Sequence, residues 1–490
     1  MSSELILTLA LPLLASIAIA LIESKIVHAI SMVALGITLA LNTHLLISSL
    51  KGATYVSGPL IGDPIGLLMC ELILIVCLIC VCYSYQHLRA GVDRRSRLFL
   101  VLMLALTSTL IGLALSSNIL GILLFLETST AVSAILILYG ERRRKAVLAA
   151  SIYLAISIVE SLFIIAGIYY LTKTTGLELA AMNLSNIRNA YLSGSEASTA
   201  AFLILFGLGT KIGLVPLGLI WLPIAFSEAP SPVSAVLAGV MDEAVFIATL
   251  RCAYALLPHA SKTVVGLLAV LGMASIWIGI LGMVLDRDLK RMLAFSSILS
   301  MGSICMVAGL SFTLSADGIA LGLQGALYYL TVHSIGKSLL FLASGSYLQK
   351  IGERNWIKMT GATKVLPLTS ILWVIGAISI AGLFPPAAGY YAKHLMISSI
   401  DQLENTVFGI PPLIYKLSLY AGGIALFFIL IGFTVLSLRG TGKSDEVPML
   451  MLISKIALAL ICIILGLASS NFEHKLLEVV VDEILRLGGG

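Results

Sequence analysis

The chain has 490 residues, of which 59% are hydrophobic and only 11% charged, with a formal net charge of +5. Soluble domains carry roughly a quarter charged residues, so this composition cannot cover a water-facing surface of ordinary size and excludes a soluble enzyme. The mean hydropathy of +1.06 points instead to a chain that lives in a bilayer.

Apolar stretches of about 20 residues recur from Leu5 to Ala468, the pattern of an all-α polytopic membrane protein. Period-two alternation, the mark of a β-barrel, is not visible. Fourteen spans are expected, near 4–22, 27–48, 64–83, 98–116, 118–139, 146–172, 199–223, 231–257, 263–285, 291–310, 317–347, 366–400, 413–437 and 449–469. The first stretch has no Lys or Arg before it and no small-residue cleavage pattern after it, so it reads as a retained helix.

Cys70, Cys77, Cys80 and Cys82 share span 3. Cys77 and Cys80 have the spacing of a redox pair, but without a second pair or a histidine they read as small apolar packing residues. No metal site, no cofactor bound by this chain and no catalytic centre of its own are expected. The lipid bilayer is an implied partner and nucleic acid is not.

Of the 30 Lys and Arg residues, eighteen fall in loops after odd-numbered spans, seven on the opposite face and five inside spans. The positive-inside rule then places odd loops in the cytoplasm and both termini outside. The five within spans are Lys211, Arg251, Lys337, Lys393 and Lys455. A charge at a helix centre costs about 2.5–3.5 kcal/mol on insertion scales, which makes such residues functional candidates. Lys455 and Arg251 lie near span ends, where long side chains are expected to snorkel to the interface. Glu71, in the outer part of span 3, is expected to reach water. Glu127 and Glu160 are flanked by apolar runs. Asp242 and Glu243 are adjacent, about 100° apart on a helix, so only one faces a given neighbour.

Span 7 contains Lys211-Ile-Gly-Leu-Val-Pro216, and span 12 contains Phe384-Pro385-Pro386 ahead of Gly389 and Lys393. Proline within a span removes an amide donor and clashes with the previous turn, so both spans should be broken. Each break lies within two turns of a buried lysine. Irregular backbone at membrane depth is tolerated only inside protein or beside water, so break plus lysine predicts local hydration. The two spans are five apart, which suggests inverted five-helix repeats, spans 4–8 and 9–13. The corresponding divisions are 1–90, 91–260, 261–440 and 441–490.

Lys211-x-Gly-x-x-Pro216, Trp221-Leu-Pro223 and Ser227-Glu-Ala-Pro-Ser-Pro-Val-Ser-Ala235 resemble the central signature of the antiporter-like membrane subunits of respiratory complex I, energy-converting membrane-bound hydrogenases and Mrp cation/proton antiporters. Asp288-Leu-Lys-Arg-Met-Leu-Ala-Phe-Ser-Ser297, His333-Ser-Ile-Gly-Lys337-Ser-Leu-Leu-Phe341 and the Phe384 to Lys393 run resemble further family segments. The resemblance spans most of the chain. It implies fourteen helices with inverted repeats, and a subunit that moves protons among other membrane subunits while a separate hydrophilic arm performs redox chemistry. By position it implies that Glu127 is the span 5 glutamate, Lys211 its span 7 partner, His333 and Lys337 the span 11 relay, and Lys393 the exit-side charge.

Physical chemistry supports these roles independently. Burial disfavours a charged amine and a nearby carboxylate favours it, so moving Glu127 relative to Lys211 changes whether that lysine holds a proton. His333 and Lys337 are four apart, on one helical face, and histidine titrates near neutrality as a relay step requires. Arg287, Lys290 and Arg291 read as a topology-fixing cluster and Trp221 as an interfacial anchor. For Tyr390 and Tyr391, aromatic packing is the expected role.

The pattern departs from the family in three places. Gly218 and Phe226 stand where histidines are usual, and the central span 8 lysine aligns with Glu243. Either Glu243 passes protons as a carboxyl group, with Glu160 as an added site, or Asp242 and Glu243 form a structural pair or a cation site. Carboxylates are also the oxygen ligands that sodium favours. Segment 471–490 reads as a short amphipathic helix with Leu477, Val480, Ile484 and Leu487 at helical spacing, placed on the outer face or on a partner. Three readings follow: a proton-translocating subunit of a redox complex, a sodium/proton antiporter module, or a scaffold that no longer conducts.

Overall fold

The computed structural model describes residues 2–23, 26–87, 94–190, 194–256, 259 and 262–489. Lys25, Arg89 and the side chains of Ile484 and Leu487 lie outside the described residues. In chain order the long helices are α1 (Ser2–Leu21), α2 (Val27–Ser49), α3 (Pro64–His87), α4 (Arg94–Leu115), α5 (Ile119–Ile137) and α6 (Arg143–Thr175). A short hairpin, β1 (Tyr55–Ser57) with β2 (Leu60–Gly62), joins α2 to α3. Span 7 is split into α7 (Gly194–Ile212) and α8 (Gly218–Glu228). Then come α9 (Ser231–Leu256), α10 (Lys262–Leu285), α11 (Leu289–Ser311) and α12 (Ala316–Ile351). Span 12 is split into α13 (Pro367–Ala381) and α14 (Ala388–Ile400), followed by α15 (Pro412–Ser437), α16 (Met449–Leu467) and α17 (Glu478–Gly489).

Among the described residues twelve helices are long and apolar enough to cross a membrane. The central ones, α9, α11 and α12, are buried along their whole apolar windows, whereas α1, α2 and α15 are largely exposed. Burial therefore increases inward, and every candidate charge except Glu71, Glu127 and the partly buried Arg251 lies in the buried part. Helix α12 has 36 residues, roughly 54 Å at 1.5 Å per residue. A hydrocarbon core is about 30 Å thick, so α12 is longer than an upright crossing needs.

The two breaks form where the prolines stand. Gly213, with φ +96°, and Gly382, with φ +57°, take left-handed conformations that side chains resist. Gly218 packs so closely on Gly213 that an added Cβ would lie 2.1 Å from the Gly213 carbonyl carbon. A third irregularity, absent from the sequence reading, is a π-helical turn at Leu237–Met241 inside α9. There α9 closes on α12: a Cβ on Gly239 would meet the Ser338 hydroxyl, and that hydroxyl donates to Ala235 O at 3.2 Å.

Two expectations of snorkelling are corrected. Arg251 is only 11% exposed and pairs with Asp63 at 2.6 Å, while Asp63 also accepts the Gly66 amide at the start of α3. Removing one partner of such a buried pair costs about 3–5 kcal/mol. Lys455 is fully buried and points inward. Glu71 is not left to water either: Asn42 and Thr43 each donate to it at 2.7 Å. Trp221 is likewise no interfacial anchor, being 1% exposed, with its indole N–H donated to Thr210 O at 3.2 Å. That carbonyl also accepts the Gly213 amide at 3.1 Å, so the indole joins it as a second donor at the span 7 break. Leu477, Val480 and Val481 are buried, so the apolar face of the C-terminal segment packs on this chain itself, against α3 and α12.

Candidate functional site

Lys211 ends α7 at the span 7 break and is completely buried. Its Nζ lies 2.9 Å from Glu160 Oε1 on α6 and donates to Thr130 Oγ1 at 2.6 Å and Ser157 Oγ at 2.8 Å. The Tyr153 ring lies beneath it, 4.5 Å from Nζ to the ring centre. The resemblance implies Glu127 as the lysine's partner, but the contacting carboxylate is Glu160. Among the described residues neither Glu160 oxygen takes a well-aligned hydrogen bond, so the pair is held by charge. Glu127 is one link outward on α5, half-buried, accepting from Ser161, whose hydroxyl also donates to Ser157 O at 2.7 Å. The reason is register. Ser157, Glu160 and Ser161 are three and four apart, so one polar face of α6 presents its carboxylate to Lys211, whereas α5 meets the lysine with the Thr130 hydroxyl.

From Lys211 the polar groups continue inward. Tyr153 and Ser133 both touch the Met241 sulfur, at 3.6 and 3.7 Å, on the π-helical turn that precedes Asp242. Asp242 is fully buried, close enough to Lys211 and Lys337 to feel both charges, and neither of its oxygens has a hydrogen-bond partner among the described residues. The adjacent Glu243 points to α12, where its Oε1 is 2.6 Å from His333 Nδ1. One turn along, Lys337 Nζ donates to Leu293 O at 3.1 Å and to Ser296 Oγ. The two neighbouring acids thus point in different directions, Glu243 to His333 and Asp242 between the two lysines, as their angular separation allows.

Lys393 stands apart from any carboxylate in a direct ion pair among the described residues. Its Nζ donates at 2.6 Å to Ala381 O, the last residue of α13, where a helix end leaves carbonyls free and partial negative charge gathers. It also sits 5.2 Å from the centre of the Tyr329 ring. Tyr329, His333 and Lys337 are four apart in succession, so one face of α12 connects Lys393 with Glu243. Tyr390 and Tyr391 are half-buried and pack on each other, with ring centres 5.5 Å apart.

On the odd-loop face a cavity of about 1050 Å³ opens between the ends of these helices, lined by His87, Arg95, Glu228, Ser231, Lys290 and Arg354 among others. Glu228, on the Ser227 to Ala235 run, accepts from Arg142. Asp288 caps α11 and binds Arg354 at 2.6 Å. Burial alone would raise the Asp288 carboxyl, but the Arg354 guanidinium beside it outweighs that and holds it below the usual carboxylate range. Lys290 departs from the topology-cluster reading: it is 2% exposed and donates to Ala229 O at the junction of α8 and α9.

The predicted residues therefore form one row across the buried middle of the chain: Glu160 and Lys211, then Asp242, then Glu243 with His333 and Lys337, with Lys393 joined through Tyr329. The residues missed in the sequence are the hydroxyls and aromatics that hold the lysines, Thr130, Tyr153, Ser157, Ser296 and Tyr329. Only the Ser157, Glu160, Ser161 spacing offered a signal for them.

The family described as NADH:quinone oxidoreductase/Mrp antiporter, TM, matches residues 116–410. NADH-quinone oxidoreductase subunit N of Desulforudis audaxviator is 32% identical over 353 residues, 70% of this chain and 68% of that protein. Hydrogenase-4 component B of Escherichia coli is 26% identical over 432 residues, 85% of this chain but 63% of that protein. In three dimensions the chain is similar to one in the Mrp complex from Dietzia sp., with a TM-score of 0.86 over 100% of both chains at 19% identity, a likeness of fold. The matched segment holds both broken helices and every member of the buried row, and the chain belongs to the NADH:quinone oxidoreductase/Mrp antiporter transmembrane family.

Proposed function

We propose that this chain is a proton-translocating, antiporter-like membrane subunit of a complex I-like or membrane-bound-hydrogenase-like respiratory complex. It couples redox chemistry in a hydrophilic arm, carried by other subunits, to ion movement along the buried row. The observation that carries this reading is the row itself. Seven ionisable side chains at membrane depth, each costly to insert, lie in succession between two broken helices. A scaffold would be more stable with apolar residues at those positions. The subunit holds no redox cofactor of its own in this reading. The odd-loop cavity serves as the cytoplasmic inlet, both termini face outward across the cell membrane, and the matched breaks relate two inverted five-helix units.

A second reading, an Mrp-type sodium/proton antiporter subunit, is favoured by one specific feature. Glu160, Asp242 and Glu243 place three carboxylates in the first half of the row, and hard oxygen donors suit sodium better than lysine does. The native complex, purified from its own membrane and reconstituted in vesicles, separates the two. Copurified iron–sulfur or nickel-bearing subunits, with substrate-driven acidification that is independent of sodium, are expected. Purely membrane partners with sodium-dependent proton exchange would establish the second reading, and no ion movement of either kind would leave the scaffold.

A further inference from the structure

Helices α4 and α6 both open with runs of cations on the odd-loop face. Arg94 and Arg95 begin α4, and Arg143, Arg144 and Lys145 begin α6, all five of them exposed. A helix N-terminus carries partial positive charge, so cations there repel the end they occupy, and an anion is what such an end favours. Arg95 and Arg143 also line the odd-face cavity, and Lys290, 2% exposed near the start of α11, lines it as a buried charge.

The acids nearby do not answer these three cations. Glu228 is taken by Arg142 at 2.8 Å, and the Arg354 guanidinium is taken by Asp288. Arg95 lies over the Tyr139 ring, 5.5 Å from its centre, and Lys290 donates to a carbonyl, Ala229 O. Among the described residues Arg95, Arg143 and Lys290 make no ion pair, which leaves them facing the cavity against the exposed Glu141 alone.

Another wall of the same cavity is apolar. Ile135 and Leu138, at the end of α5, and Val147, near the start of α6, line it and are exposed. In a bilayer the edge where exposed apolar side chains give way to arginines marks the headgroup level, where lipid phosphates lie. Topology alone is served by cations anywhere in the loops. It does not require that they share a cavity with a buried lysine and an apolar wall. An acidic segment of another protein would match the charges but has no use for that wall, which an acyl chain covers.

We propose that the odd-face cavity is a binding site for an anionic glycerophospholipid, its phosphate held by the Arg95 and Arg143 guanidiniums and one acyl chain lying along Ile135, Leu138 and Val147. Arginine suits the task because its planar fork donates two parallel hydrogen bonds to phosphate oxygens. Lys290 supplies a further positive charge in the same cavity. At about 1050 Å³ the cavity holds a headgroup and water together, so the assignment leaves the inlet open. It stands on the cavity and not on conduction.

The test uses the native complex in phosphatidylcholine vesicles that contain a trace of phosphatidylglycerol with a photoactivatable diazirine in one acyl chain. After illumination, labelled peptides are identified by mass spectrometry. Label is expected between Ile135 and Val147, displaced when unlabelled phosphatidylglycerol replaces part of the phosphatidylcholine and kept when inorganic phosphate is added. Arg95→Gln with Arg143→Gln is expected to lower labelling roughly tenfold, about 1.4 kcal/mol of binding, and Arg95→Lys with Arg143→Lys, which keeps both charges, to retain more of it. Arg94, Arg144 and Lys145 stay in both variants to hold the topology, and thermal unfolding checks the fold. Displacement by inorganic phosphate would mark a site for free phosphate, and label spread evenly over the spans, or unchanged in the glutamine variant, would mark no site. Each of those results overturns the lipid assignment. None of them depends on proton uptake, so the assignment and the conducting reading fail separately.

Discussion

Glu160→Gln is expected to slow ion translocation roughly tenfold or more, and more than the same change at Glu127. The reason is contact. Glu160 Oε1 lies 2.9 Å from Lys211 Nζ with both side chains fully buried, whereas Glu127 reaches the lysine only through Ser161 and Ser157. Lys211→Met leaves the fully buried Glu160 carboxylate without its counter-charge, a change that costs about 3–5 kcal/mol when a buried pair is broken. The double variant Lys211→Met with Glu160→Gln removes both charges and is expected to regain most of that stability while staying inactive. Thermal unfolding of the purified complex, set beside flux in vesicles, checks both parts. Equal losses at Glu127 and Glu160, or a double variant that conducts, would remove Glu160 from the path.

Glu243→Gln is the second substitution with a large expected effect. The amide fills the same space and still bonds His333, so assembly is expected to be normal. It cannot carry a negative charge or exchange a proton, so the link from Asp242 to the α12 face is broken and flux is expected to fall roughly tenfold. Asp242→Asn is expected to act similarly, since Asp242 lies within the field of both Lys211 and Lys337. Glu243→Lys sets a cation against His333 and Lys337 and is expected to abolish coupling. Native flux in Glu243→Gln with normal assembly would make the central acids a structural pair.

Much of this organisation is legible in the sequence because membrane insertion penalises charge so heavily. Lys211, Lys337 and Lys393 stand out against apolar runs, and proline beside each of two lysines locates both breaks. Signals that depend on three-dimensional register do not show. That Glu160 outcompetes Glu127 for Lys211 follows from the rotation of α6 against α7, which no linear pattern reports. The π-helical turn at Leu237–Met241 coincides with the close approach of α9 and α12 at Gly239, a tertiary feature. Lys455 and Arg251 illustrate the limit of distance from a span end as a guide. Snorkelling requires that the side chain face outward, and both face neighbouring helices, where Thr369, Ser346 and Asp63 are waiting. Trp221 misleads for the same reason, since its indole turns inward and donates to Thr210 O at the break.

The row as a conductor is tested most directly by proton uptake into vesicles that hold the native complex, comparing wild type with Lys337→Ala at equal subunit content. Lys337 is fully buried, follows His333 on the α12 face and has only Leu293 O and Ser296 Oγ as hydrogen-bond acceptors among the described residues. Loss of uptake with the complex intact is the predicted result. Uptake at the wild-type rate would contradict it.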